Sequence, residues 1–291
     1  MRVLVTGANG QLGTDVCKAL KNVEFFPFTH DDIEIKSLDS IRQAISSCHP
    51  DAVINTAAYV KVNECEIEQD EAFAVNALGA RNVAVVCQEI GSKLVHISTD
   101  YVFGGEFEHR SVPYTEFDTP IPPNTYGKTK LQGDNFVQHF CNRHFVVRCS
   151  ALFGIAGSRG KGAKRGNFVQ TILRLAQEQE MLRVVNDQIC SPTYTVDIAH
   201  KITELIATDL YGIFHITNKG NCSWYEFAKH IVELSGQSTP VIPITSEEYT
   251  QEARRPFNSS LDNYHLRLVG MDDMRPWQEA LRSFLEEIKL T

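Results

Sequence analysis

At 291 residues, with 28 basic and 36 acidic side chains and a net charge of −8, the chain is too long for a disulfide-stapled miniprotein and suits one large α/β unit or two fused domains. The acidic balance argues against a nucleic-acid binder, which needs a basic face for phosphates, and no run approaches the ~18 apolar residues of a membrane span. Eight scattered cysteines form no C-x-x-C pair and no Cys/His cluster; cysteine in apolar runs is a small buried hydrophobe, so the pattern predicts no metal site and a reduced, cytoplasmic setting.

Arg2–Thr6 reads as a strand, too briefly apolar to be a signal peptide. A glycine-rich loop follows, then a helix to about Leu20. Val23–Phe28 is a second strand, Leu38–Cys48 has helical spacing, Ala52–Thr56 is a third strand, and a long helix is expected from about Asp70 to Ile90. Lys93–Thr99 is a fourth strand, Thr125 to about His139 a helix, and Phe145–Cys149 a fifth strand. Strands that are apolar throughout and separated by helices mean a parallel sheet covered on both faces. The expected fold is therefore α/β, a doubly wound Rossmann-type sheet. Beyond it come a helix near Asn167–Glu180, a strand near Leu182–Val185, a helix near Val196–Thr208 and the strand Gly212–Thr217. Ser223, with Glu226 three positions on, predicts an N-cap for the helix Trp224–Leu234, and Pro276 opens a last helix. These later elements extend the sheet and build a smaller C-terminal α/β lobe over the carboxyl edge of the strands, where ligands of open α/β sheets bind.

Gly7-Ala8-Asn9-Gly10-Gln11-Leu12-Gly13 joins the first strand to the first helix. Glycines at this spacing permit a tight turn and let backbone N–H groups and the helix N-terminus meet a pyrophosphate. Gly154, Gly157 and Gly160 repeat the spacing but run into a basic loop instead of a helix. The chain thus divides into a dinucleotide-binding domain over 1–150, completed by a return segment near 186–221, and a substrate lobe over 151–291. An acid at the tip of the second strand would hold a ribose 2′-hydroxyl and favour NADH. Here the tip reads Phe28-Thr29-His30, with Asp31, Asp32 and Glu34 slightly later; that leans toward NADPH and leaves NADH open.

Tyr126 and Lys130 stand at i and i+4 on one helix face. A phenol near pKa 10 works poorly as an acid–base group until a cation stabilises its phenolate, and Lys130 is placed to do so. Tyr225 and Lys229 repeat the spacing, but beside Trp224 and Phe227 they read as packing. What separates the pairs is Ser98-Thr99-Asp100 at the end of the fourth strand, where the Thr99 hydroxyl is positioned to meet a substrate carbonyl oxygen.

Taken together, these motifs resemble the extended short-chain dehydrogenase/reductases and, within them, the dTDP-4-dehydrorhamnose reductase family. The similarity runs over essentially the whole chain: Thr6 to Gly13, Asn55 to Asn63, Asn76 to Ala80, Ser98 to Phe103, Tyr126 to Lys130, Asn167 to Val169, Val185 to Gln188, Pro192 to Thr195 and Arg255-Pro256. The resemblance implies that Tyr126 is the proton donor, Lys130 its cofactor-binding partner, and Thr99 the hydroxyl polarising a keto group. It implies cofactor contacts at Gly7, Gly10, Gln11, Leu12 and Gly13, at Glu34 and Ile35 near the adenosine, and at Ala57, Ala58, Tyr59 and Val60. Thr99, Asp100, Ala151, Asn167 and Arg255 are implied substrate contacts, the substrate being a nucleotide-diphosphate sugar; relatives can dimerise. Ala151 stands where the family commonly has Trp, and the segment 157–166 is an expanded basic loop that could clamp a diphosphate. The same fold hosts nucleotide-sugar epimerases, dehydratases and a regulatory subunit of methionine adenosyltransferase. The dehydratase pattern would need Glu after Asp100, where this chain has Tyr101.

Overall fold

A computed structural model describes residues 1–106, 110–157, 166–249 and 251–290. In the first strand, β1 (Arg2–Thr6), Val3 and Val5 pack on one face of the sheet and Leu4 on the other. That alternation with no polar member requires cover on both sides. The cover comes from α1 (Gln11–Ala19) on one face and α2 (Leu38–Cys48) on the other, separated by β2 (Glu24–Phe28). The next elements are β3 (Ala52–Asn55), α3 (Ala80–Ile90), β4 (Lys93–Thr99), α4 (Thr125–Phe140) and β5 (His144–Cys149). Helix α5 (Phe168–Glu178), strand β6 (Leu182–Val185) and helix α6 (Thr195–Ile206) lead to β7 (Gly212–His215).

Six strands form one wholly parallel sheet in the order β7-β5-β4-β3-β1-β2. The chain reverses its winding direction between β1 and β3, which opens a crevice at their carboxyl ends. Leu12, Val16 and Leu20 pack with Ile198, Ile202 and Leu205 of α6 on one face, and α2, α3 and α4 cover the other. One expectation is corrected here. The long helix before β4 is interrupted: a short helix, Gln69–Phe73, passes into a π-helical turn, Ala74–Gly79, before α3 begins. Asn76 in that turn holds the Tyr59 backbone through both its amide atoms, at 2.8 and 3.0 Å, so tertiary contacts oppose the local helical pattern.

The smaller lobe joins α5, α7 (Trp224–Ser235) and α8 (Trp277–Leu290) over a parallel pair, β6 with β8 (Val241–Ile244). The capping box at Ser223 forms, with Ser223 and Glu226 each bonding the other's backbone N–H. Among the described residues no helix is long and apolar enough to cross a membrane. Phe284, fully buried on α8, meets the rings of Phe153 and Tyr194 at 5.4 and 5.8 Å and so seals the lobe onto the segment leaving β5. Truncation by Phe284→Ala should destabilise the fold by about 3–5 kcal/mol in chemical denaturation; a loss below ~1 kcal/mol would show that this ring does not hold the lobe.

Candidate active site

The turn from β1 into α1 is as tight as the backbone allows. A Cβ on Gly13 would lie 2.2 Å from the Gly7 carbonyl oxygen, so only glycine lets the helix start there. Gly10 caps α1 with no side-chain hydrogen bond, and the first turn holds no acidic residue. The helix therefore presents bare N–H groups to the crevice, a ready anion site. Opposite, α4 is pressed against the end of β4. A Cβ on Gly127 would lie 2.0 Å from the Tyr101 carbonyl oxygen, so glycine sets this approach. Asn124 caps α4 by accepting from Gly127 N at 2.8 Å, while the Glu66 carboxylate accepts from Thr125 N and Oγ1 at 2.8 and 2.7 Å.

Thr99, Tyr126 and Lys130 consequently face one crevice of about 400 Å³, shared with Gly10, Gln11 and Leu12 of the glycine turn. Thr99 Oγ1 accepts from Tyr101 N at 3.2 Å and donates to Asp100 Oδ1 at 3.1 Å. Burial pushes the Tyr126 phenol far above its usual range, with the neighbouring Thr99 hydroxyl acting the other way. Lys130 is 1% exposed and donates to the Ile97 carbonyl at 2.6 Å. Burial pushes its ammonium down to about 8, against the pull of Asp134. The site thus holds a protonated phenol beside a cation that loses its proton only in mild alkali. Such a pair suits proton donation to an oxygen anion as it forms.

The other expected positions distribute as follows. Ala58, Val60, Asp100 and Ala151 also line the crevice, and Ala57 backs the glycine turn near Gly7. Tyr59 turns its hydroxyl away to Glu68 at 2.5 Å. Glu34 and Ile35 sit after β2, where Glu34 accepts from Lys36 N at 2.9 Å and Ile35 is buried. At the β2 tip, Thr29 donates through its N–H and hydroxyl to Asp32 at 2.8 Å. Asn167 caps α5 and donates to Gln11 Oε1 at 3.0 Å and Gly154 O at 2.8 Å; it grips a crevice residue without lining the crevice. Arg255 lies 5.8 Å over the Tyr101 ring and bonds Gln251 and Asn63 at 2.8 Å each, and its buried Nη1 has no partner among the described residues. Ala151 has φ +44°, a left-handed conformation costing a non-glycine residue about 1 kcal/mol. Arg159, Lys161, Lys164 and Arg165 of the basic loop lie outside the described residues. Among the described residues no cluster of three or more His, Cys, Asp or Glu could hold a metal.

Sequence reasoning missed Trp224. Assigned to packing, it lines the crevice from the first turn of α7, with the Phe168 ring 4.5 Å behind it. Nothing in its spacing signals this, because the lobe reaches the crevice only after folding. Tyr225 and Lys229 do not line the crevice, and Lys229 sits 3.9 Å from Glu233 in solvent.

Asp100 has a second duty. Its carboxylate accepts from Thr99, from Ser150 at 2.8 Å and from Ser259 at 2.6 Å, and so ties β4, the segment after β5 and the C-terminal part together. Burial nevertheless outweighs these bonds and raises its pKa to about 6, from 3.8. A carboxyl raised on folding binds its proton more tightly in the native state, so its contribution to stability is full below the unfolded value and is lost as pH rises through about 6. Ser259→Ala should raise the Asp100 value further, read by carboxyl carbon NMR; an unchanged or lower value would deny the hydrogen bond its role.

Comparison with known proteins now gives the family. The RmlD substrate binding domain model matches residues 1–290, and the chain belongs to that family. It is 41% identical to the spore coat polysaccharide biosynthesis protein SpsK of Bacillus subtilis, over 98% of this chain and 97% of that one. A dTDP-4-dehydrorhamnose reductase of Aggregatibacter actinomycetemcomitans is 34% identical, with 97% of each chain covered. The crystal structure of dTDP-4-dehydrorhamnose reductase from Bacillus anthracis in complex with NADP superposes with a TM-score of 0.91 at 43% identity, covering 98% of this chain and 99% of that one.

Proposed function

We propose that this member of the RmlD family is an NADPH-dependent oxidoreductase that reduces the 4-keto group of a dTDP-activated 6-deoxysugar, converting dTDP-4-dehydro-L-rhamnose to dTDP-L-rhamnose. The observation that carries the reading is the convergence of Thr99, Tyr126 and Lys130 beside the uncapped N-terminus of α1. The named activity of the A. actinomycetemcomitans relative and the NADP in the B. anthracis structure support it.

The turn from Gly7 to Gly13 fits a dinucleotide diphosphate, because the first turn of α1 has no side-chain cap on its N–H groups and a Cβ at Gly13 would displace the turn. NADPH supplies the hydride that reaches C4 of the sugar. Lys130 holds the nicotinamide ribose, the Ala57–Val60 segment flanks it, and Glu34 and Ile35 border the adenosine half. Tyr126 gives its proton to the sugar C4 oxygen as negative charge builds there, and Thr99 turns its hydroxyl from Asp100 onto the same oxygen. Lys130, positively charged below about pH 8, stabilises the phenolate left behind. Arg255, whose buried Nη1 has no hydrogen-bond partner among the described residues, would take a substrate phosphate oxygen, and Asn167 acts through Gln11. In this arrangement 1–150, completed by a return segment within 186–221, holds the cofactor and 151–291 mainly holds the sugar nucleotide. A cytoplasmic enzyme suits both soluble substrates.

Removing the phenol by Tyr126→Phe should lower kcat by about 10²–10⁴ while NADPH binding persists. The assay pairs dTDP-, UDP- and GDP-linked 4-keto sugars with NADPH and NADH and follows reduced-nicotinamide absorbance. Turnover strongest with dTDP-4-dehydro-L-rhamnose and NADPH is the expected result. A Tyr126→Phe enzyme at full speed, or no nicotinamide oxidation with any keto sugar, would reject the assignment.

A further inference from the structure

The inner face of α4 carries Tyr126, Lys130 and Asp134 at successive four-residue steps, one above the next. Asp134 is fully buried, and its surroundings are unusually polar for a core. Its Oδ2 accepts from Ser98 Oγ at 2.9 Å and from Arg148 Nε at 3.3 Å. Its Oδ1 has no hydrogen-bond partner among the described residues and faces His96 Nε2 at 3.7 Å. His96 Nδ1 meets the Asn55 amide at 3.3 Å, and Asn55 Oδ1 accepts from Thr6 Oγ1 at 2.6 Å. Since the Asn55 amide nitrogen donates, His96 Nδ1 accepts and the ring proton sits on Nε2, toward Asp134. Thr6, Asn55 and His96 are register partners across β1, β3 and β4. A single polar row therefore runs from the residue before the glycine turn to the carboxylate one turn below Lys130.

Such a row is costly to bury unless its charges balance. The charged or titratable groups around Lys130 are Tyr126 and Asp134 on its own helix, His96 on β4, Asp100 just after it, and Arg148 and Cys149 on β5. His96 is held neutral by burial, which drives its pKa well down. Cys149 is pushed up to about 12 and stays a thiol. Asp100 is already turned to three hydroxyls. Asp134, one helical turn along the same buried face, is left as the counter-charge for the ammonium without a direct ion pair to it; Arg148 Nε lies against it at 3.3 Å, and burial raises its pKa against the pull of Arg148 and Lys130.

We propose that Asp134 is a positioning residue for the reduction: it is the buried counter-charge that keeps Lys130 an ammonium, held against the Ile97 carbonyl, and so able to support the Tyr126 phenolate. Arg148 sets how much of that counter-charge Lys130 receives. The proposal rests on the reading of Tyr126 and Lys130 given above. It adds a residue that touches neither substrate nor cofactor.

The two charges predict opposite shifts. An ammonium that loses its neighbouring anion gives up its proton at lower pH, and one relieved of a competing cation holds its proton to higher pH. With NADPH and keto sugar both saturating, the alkaline limb of kcat against pH should move down by about one unit or more in Asp134→Asn. It should return toward the wild-type position in Asp134→Glu and move up in Arg148→Gln. Melting temperature and NADPH affinity are measured alongside. A limb that stays in place in both Asp134→Asn and Arg148→Gln, with activity reduced evenly at every pH, would overturn the proposal and leave Asp134 a purely structural group. Should Asp134→Asn fail to fold, the Arg148→Gln limb decides alone: an upward shift supports the counter-charge, no shift refutes it. If instead Tyr126→Phe retained full activity, the reading beneath the proposal would have failed, an outcome separate from these limbs.

Discussion

A lysine ammonium buried at the carboxyl end of a parallel sheet, with a main-chain carbonyl as its hydrogen-bond acceptor, is the constraint that shapes this molecule. Lys130 donates to Ile97 O at 2.6 Å with almost none of its surface exposed. That contact forces α4 down onto β4, and Gly127 is the residue that lets it approach so far. Tyr126, one helical turn earlier, is carried to the strand end where Thr99 waits. The pieces are individually ordinary. Their chemistry comes from burial, which keeps the phenol protonated and brings the ammonium to about 8, close to neutrality.

The crevice is also where two lobes meet, and the joint is polar. Asp100 collects hydroxyls from three parts of the chain, and Asn167 at the start of α5 reaches back to Gln11 in the glycine turn. Apolar packing, such as Phe284 against Phe153, holds the lobe on; these directed bonds set how the groups around the crevice face each other. Directed bonds lose strength steeply with misalignment, whereas apolar contact tolerates sliding. Placing the polar joint next to the reacting groups therefore gives the site its register.

Much of this was legible in the amino-acid order. The runs Val3-Leu4-Val5 and Leu94-Val95 have no polar face, so a sheet covered twice was the only home for them. The glycine turn was legible because its steric demand is local, and so was the pairing of Tyr126 with Lys130, because helical geometry fixes it. The π-helical turn at Ala74–Gly79 was not, since it depends on the Asn76 amide reaching Tyr59 across the fold. Asn167 and Gln170 carry the spacing of a capping box, and they form one. Trp224 was invisible as a crevice residue for a different reason: its place is set by how the lobe docks, not by its own helix. That Asp32 folds back onto Thr29 was not legible either, because the turn after β2 sets it.

The central claim, that the crevice reduces a keto sugar instead of isomerising or merely binding it, is tested most directly by isotope transfer. NADPH carrying deuterium on the transferable C4 position is turned over with dTDP-4-dehydro-L-rhamnose, and the sugar is read by NMR. Stoichiometric deuterium at sugar C4, with one equivalent of NADP⁺ formed, is the predicted result. An isomerised or unchanged sugar without label, and NADPH left unoxidised, would contradict it.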